Sequence, residues 1–227
     1  SIPAEEVAAI FVEPIQGEGG YIVPPPEFHT RLFRIAQSYG ILYVADEVQT
    51  GIGRTGKMFA MEHFDIVPDI ICLAKGIASG MPISAMIAYS DIMDWVPGSH
   101  ASTFGGNPVA CAASLATLDL VEKSLMNNAR VVGDYLISEL KKMQKIYEII
   151  GDVRGKGLMI GIELVKDREK KTMAIRERDI LINKAFEKGL LLLGCGSNSI
   201  RLAPPLIITK KDADTALTIM DEVFKLI

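Results

Sequence analysis

Short apolar runs at residues 7–12, 41–45, 69–74 and 83–88 are separated by glycine, proline and polar stretches. Their length suits strands, and their nearly unbroken apolar character suits strands covered on both faces, as in parallel sheets. Between the first two runs, Phe28, Leu32, Ile35, Ala36 and Tyr39 recur at helical spacing, after prolines at 24–26 and before Gly40, which predicts a helix over 27–39. Strand, helix and strand in that order imply a parallel crossover. The alanine- and leucine-rich segment 108–122 predicts a helix buried on several sides, and 129–146 an amphipathic one with Val132, Leu136, Leu140 and Met143 aligned. Beyond it come alternating strand signals over 149–165, a charged connection at 166–171, a helix over 176–188, a strand near 190–193 and a terminal helix from Lys211. The pattern therefore predicts an α/β domain over 1–124 and a smaller α+β domain over 125–227, with the change near 121–127 and no internal repeat.

With 227 residues, 49% of them apolar, the chain has ample material for a buried core. Its formal charge of −4 comes from interspersed acids and bases, so it lacks the concentrated basic surface that nucleic acid or an anionic membrane requires. No apolar run approaches the ~18 residues of a membrane span. The first ten residues carry no basic segment ahead of an apolar core, and the expected location is cytoplasmic. Cys72, Cys111 and Cys195 are odd in number and widely spaced, as befits buried reduced thiols. His29, His63 and His100 form no metal-ligand pattern and read as structural or surface residues, so no metal is expected. Ser1 is not a methionine and the first strand signal follows within ten residues, so the chain is expected to begin mid-fold.

Three predicted strands run into charged side chains at or just past their carboxyl ends: Glu13, Asp46 and Lys75. Ligands of open parallel sheets bind in the crevice at that edge, where the three would converge. Lys75 lies in an apolar, glycine-rich stretch, and desolvation there would favour the free amine that a Schiff base needs. The segment GIGRTGKM at 51–58 resembles two phosphate-binding patterns without fitting either. Met58 stands where a hydroxyl should meet magnesium, and no helix pattern opens directly at Gly53. A flexible glycine-rich loop at the active site is expected instead.

EPIQGEGG at 13–20, ADEVQTGIGRTG at 45–56, LAKGIASGMP at 73–82, STFGGNP at 102–108 and IRLAPPL at 200–206 are similar to the successive signatures of class III aminotransferases. The resemblance follows family order and covers nearly the whole chain. It implies fold type I, with part of the large cofactor-binding domain over 1–124 and the small carboxyl-terminal domain over 125–227. It also implies pyridoxal phosphate as cofactor, small amino and keto acids as substrates, and a homodimer with active sites at the interface. By position, Lys75 resembles the lysine that holds the cofactor and shuttles a proton, and Asp46 the partner of its ring nitrogen. Val48 would pack on the ring face, and Gln49 would hydrogen-bond the phenolic oxygen. Thr103 would reach the neighbouring subunit's cofactor phosphate. Arg201 resembles the arginine that grips the substrate α-carboxylate, a task suited to a planar guanidinium. Glu18 resembles its switch partner, pairing with the arginine when a donor lacks that carboxylate. Glu13 takes a supporting polar role.

Family members carry a long segment before the equivalent of Glu13, including the loop that cradles the cofactor phosphate, so the chain reads as a carboxyl-terminal half. The expected activity is transfer of an amino group from an ω-amino or α-amino donor, 4-aminobutyrate- or ornithine-like, to a keto acid such as 2-oxoglutarate. An amino-acid racemase or epimerase of the same family, and an inactive fragment, stand as alternatives.

Overall fold

The structure is a computed structural model that describes residues 2–227, leaving Ser1 outside. It divides into two compact units. The first comprises the described residues up to Pro14, Pro24–Gly53 and Lys57–Ser124; the second comprises Ile15–Val23, Arg54–Gly56 and Leu125–Ile227.

The first unit is built on strands β1 (Ala9–Val12), β2 (Leu42–Asp46), β3 (Ile70–Leu73) and β4 (Ala85–Ala88), hydrogen-bonded in that order. β1, β2 and β3 are parallel, and β4 runs antiparallel to β3. Helix α1 (Phe28–Ser38) makes the predicted crossover from β1 to β2. Gly40, at φ 66, ends it in a left-handed turn, and Ile41 N–H returns to Ala36 O at 2.9 Å. Buried Ala36, Tyr43, Ala45 and Met61 form the core, joined by Ile10 and Val12. Strand alternation sends Phe11 to the opposite face, where it is 73% exposed. Met86 and Ile87 of β4 are exposed as well, so the two-sided burial expected of these strands is met at β2, where Tyr43, Val44 and Ala45 are all buried, and not at the edge strands β1 and β4. An apolar run reports a preference for cover and does not name the element that supplies it.

Helix α2 (Pro108–Leu120) has Asn107 as N-cap, whose side chain accepts from Ala110 N–H at 2.9 Å, and Pro108 in its first turn. Only Ala110, Ser114 and Thr117 are buried, whereas Val109, Leu115 and Leu120 are exposed, which corrects the expectation of burial on several sides. A π-helical turn over Val121–Leu125 then carries the chain into α3 (Met126–Ile146).

The second unit continues with β5 (Ile150–Lys156), β6 (Met159–Asp167), β7 (Thr172–Met173), α4 (Ile175–Glu187), β8 (Leu193–Cys195), β9 (Ser199–Leu202) and α5 (Lys210–Phe224). Its sheet has the order β5-β6-β9-β8, antiparallel throughout, with β7 paired to β6. Val132, Leu136, Leu140 and Met143 of α3 fall in the core as their spacing predicts. β8 starts later than expected because Leu190 is consumed by the end of α4: its N–H bonds to Ala185 O at 2.9 Å, across Gly189 at φ 86. β9, at the centre of the sheet, has no counterpart in the sequence prediction.

Candidate active site

At the carboxyl edge of the first unit's parallel strands, Glu13 follows β1 directly, Asp46 ends β2 and Lys75 comes two residues after β3. The β2–β3 register sets Asp46 beside Cys72, three residues before Lys75. Lys75 has a backbone φ of 37, a left-handed conformation unusual for a side chain of its size. Such strain persists only where the surroundings impose it, and it concentrates at functional sites. The 3₁₀ turn Lys75–Ala78 is tied to α2 through Ser79 Oγ and Thr117 Oγ1, 2.9 Å apart. The Lys75 side chain is exposed in this chain, so the apolar burial expected around its amine is not present here.

The turn after Asp46 is held from below. Val48 N–H donates to Asp46 Oδ1 at 3.0 Å, orienting that carboxylate. Glu47 is 1% exposed; its carboxylate accepts from Thr50 Oγ1 and from Met61 N–H at 2.8 Å. Burial raises its pKa above the usual carboxylate range, although those hydrogen bonds pull the other way. Gly51 N–H returns to Glu47 O at 2.9 Å, and a Cβ on Gly51 would stand 2.9 Å from that same oxygen. Val48 and Gln49 are half-buried, and Gln49 Oε1 is a buried oxygen with no hydrogen-bond partner. Thr103 is exposed in the irregular stretch before α2.

His29 belongs to the scaffold: Nε2–H donates to Pro14 O at 2.8 Å, leaving Nδ1 to accept from Tyr43 Oη at 2.7 Å. Burial lowers its pKa, in keeping with a neutral ring. All three cysteines are free; Cys195 is buried, while Cys72 and Cys111 are only half-buried. Among the described residues no cluster could hold a metal ion. No helix among them is long and apolar enough to cross a membrane.

The second unit holds the other predicted residues. Arg201, on β9, forms an ion pair with Glu18 across 183 positions of sequence. Arg54 of the 51–58 segment is also in this unit and donates to Leu158 O at 3.2 Å and Pro204 O at 2.5 Å. Thr55 is 2% exposed, and a Cβ on Gly157 would come within 2.5 Å of the Thr55 carbonyl carbon. The glycine-rich segment is thus a closely packed connection instead of the flexible loop expected. Reasoning from sequence missed Arg154, whose guanidinium meets five acceptor residues in this unit. An arginine followed by glycine inside a strand pattern was its only signal.

A mixed α/β fold with a lysine and carboxylates at one sheet edge defines the class in general terms, and comparison with known proteins makes it specific. Residues 2–224 match the family model for aminotransferase class-III, and the chain belongs to that family. It is 49% identical over 216 residues to a leucine/methionine racemase of Thermococcus litoralis, covering 94% of this chain and 49% of that protein. It is 44% identical over 220 residues to an acetylornithine aminotransferase of Caldanaerobacter subterraneus, covering 96% of this chain and 54% of that protein. Among solved structures, a PLP-bound amine transaminase from an uncultivated Pseudomonas species superimposes with a TM-score of 0.90 at 37% identity, over 98% of this chain and 53% of that one. The chain spans about half the length of these relatives.

Proposed function

We propose that the protein is a pyridoxal-phosphate-dependent aminotransferase that moves an amino group from an ω-amino or α-amino donor, 4-aminobutyrate- or ornithine-like, to a keto acid such as 2-oxoglutarate. The observation that carries this reading is the Glu18–Arg201 pair. A guanidinium already neutralised by a carboxylate can face the uncharged end of a donor that has no α-carboxylate. Opened, the same guanidinium can take the α-carboxylate of 2-oxoglutarate in a two-pronged contact.

The first unit's residues fit the cofactor. Gln49 has a buried amide oxygen without a partner, the mark of a polar group placed for something besides its own chain. When bound, pyridoxal phosphate supplies an electron sink for the negative charge developed at the substrate carbon. Lys75 would hold the group and would carry a proton to and from that carbon. Asp46 would hold the ring nitrogen protonated by its charge, Val48 would pack on the ring face, and Gln49 would hydrogen-bond the phenolic oxygen. The reading further assigns residues 1–124 to the large cofactor-binding domain and 125–227 to the small one. It adds a cytoplasmic homodimer in which Thr103 serves the neighbouring subunit's phosphate site, and a supporting polar role for Glu13.

Racemisation is the second reading, favoured by the name of the 49%-identical relative. Lys75 would return the proton to either face of the carbon, with no keto-acid acceptor needed. The longest natural form of the protein, incubated with single-enantiomer and deuterated amino acids with and without 2-oxoglutarate, separates the two. Acceptor-dependent amino transfer is expected. Loss of optical activity without acceptor, and no transfer with it, would replace the proposal by the racemase.

A further inference from the structure

Glu18 is 67% exposed at its side chain, and an exposed ion pair is weak unless the backbone already places both partners. The backbone of its turn is placed with unusual care. Residues Ile15–Val23 fold back through a bridge between Gln16 and Ile22, and Gly20 N–H and Tyr21 N–H both donate to Gly17 O at 3.1 Å. Tyr21 takes a left-handed φ of 53, and Ile15 and Tyr21 are buried against Met159 and Cys195. Gly196 N–H then donates to Glu18 O at 2.7 Å, and a Cβ on Gly196 would stand 2.9 Å from Gly19 O. Just past Glu18, Arg154 takes the carbonyls of Gly20 and Tyr21. Its Nη2 donates to Gly20 O at 2.7 Å and its Nε to Gly20 O and Tyr21 O at 3.2 Å each. The same guanidinium is anchored from behind by Ser199 Oγ at 3.0 Å, Glu163 Oε2 at 2.7 Å and Asp152 Oδ2 at 3.1 Å. Ser199 lies on β9, two residues before Arg201.

We propose that Arg154 is a positioning residue for donor selectivity. It fixes the turn that presents Glu18 to Arg201, and thereby governs how well the enzyme accepts donors that lack an α-carboxylate. This rests on the aminotransferase reading of the Glu18–Arg201 pair. Lysine retains the charge but cannot reach two carbonyls, a hydroxyl and two carboxylates from one planar group, so Arg154→Lys should behave nearly as poorly as Arg154→Met.

The test compares kcat/KM for 4-aminobutyrate with kcat/KM for L-glutamate in the cofactor-loaded longest natural form, for wild type, Arg154→Lys, Arg154→Met and Glu18→Ala. In both Arg154 variants the ratio of the two values is expected to fall about tenfold, in the direction of the Glu18→Ala change. Hydrogen exchange of the 17–21 amides should quicken while that of β6 and β9 does not. Equal losses on both donors in the Arg154 variants, beside a selective loss in Glu18→Ala, overturn the Arg154 proposal and leave the switch standing. No selectivity change in Glu18→Ala overturns the reading beneath it. Should the Arg154 variants fail to fold, Ser199→Ala removes one anchor of the guanidinium and decides the matter by the same ratio: a selective fall supports the positioning role, and an unchanged ratio overturns it.

Discussion

Lys75 joins two observations: a left-handed backbone and a place two residues past β3, the strand whose Cys72 pairs with Asp46. Borohydride reduction of the cofactor-loaded protein is therefore expected to fix the pyridoxyl group on Lys75, and peptide mapping reads the site. A label on Lys57 or any other lysine would remove the central assignment. Glu47 allows a prediction about pH. Its folded-state pKa is raised by burial above the ordinary 4.5, so within the window from 4.5 up to the raised value the folded chain holds a proton that the unfolded chain has released. Stability contributed by this group is present below that window and is lost as the pH climbs through it. Glu47→Gln cannot titrate, so the corresponding part of the slope should vanish in denaturation curves taken from pH 4.5 upward. An identical slope in both proteins would show that Glu47 does not titrate there. At this scale Glu13, Asp46 and Lys75 stand out in the sequence because charges end apolar runs, whereas Gln49 is marked only by the family resemblance. Arg154 was not, since its partners are backbone carbonyls 133 and 134 residues away, which leave no mark in a local pattern.

At the scale of elements, helix α3 rests on the β5–β6 turn with no room to spare. A Cβ on Gly133 would lie 2.1 Å from Gly157 O, and the atoms it meets are backbone. Gly133→Ala is expected to lower stability by about 3 kcal/mol, despite the better helix propensity of alanine, because the helix must move off the sheet. A midpoint of urea denaturation equal to wild type would mean that the contact relaxes freely. The long periodic elements were readable: α1, α3, α4 and α5 lie within a few residues of their expected bounds, α5 opening on the reciprocal Thr209–Asp212 cap. β9 escaped because a strand of four residues, Ser199–Leu202, gives periodicity too few positions to work with. α2 misled in the other direction. Its composition is that of a buried helix, yet composition cannot say whether the covering surface lies within these 227 residues.

For the whole molecule, exposure is the informative quantity. Phe11, Met86, Phe104, Leu115 and Leu120 are all exposed, and the chain spans about half the length of the relatives it matches. Expressed by itself it is expected to self-associate and to bind pyridoxal phosphate weakly, without amino transfer. The rest of a full-length family protein, supplied in the same chain or as a complementing fragment, should suppress the self-association and give tight cofactor binding and amino transfer. Gel filtration, cofactor titration and a transaminase assay check this, and a monodisperse, tightly loaded, active preparation of these residues alone would sink it.

The second unit draws on both ends of the sequence, Ile15–Val23 and Leu125–Ile227, and so imposes a schedule on synthesis. Gly20 O must wait for Arg154, 134 residues later, and Glu18 for Arg201, 183 residues later. At ribosomal speeds of about 5–20 residues per second, the nascent GEGG turn spends on the order of ten seconds or more without the groups that hold it. Contacts so distant in sequence close the largest loops and tend to form last in folding. On the proposed reading, a newly made chain would thus acquire its cofactor edge before its means of telling one amino donor from another.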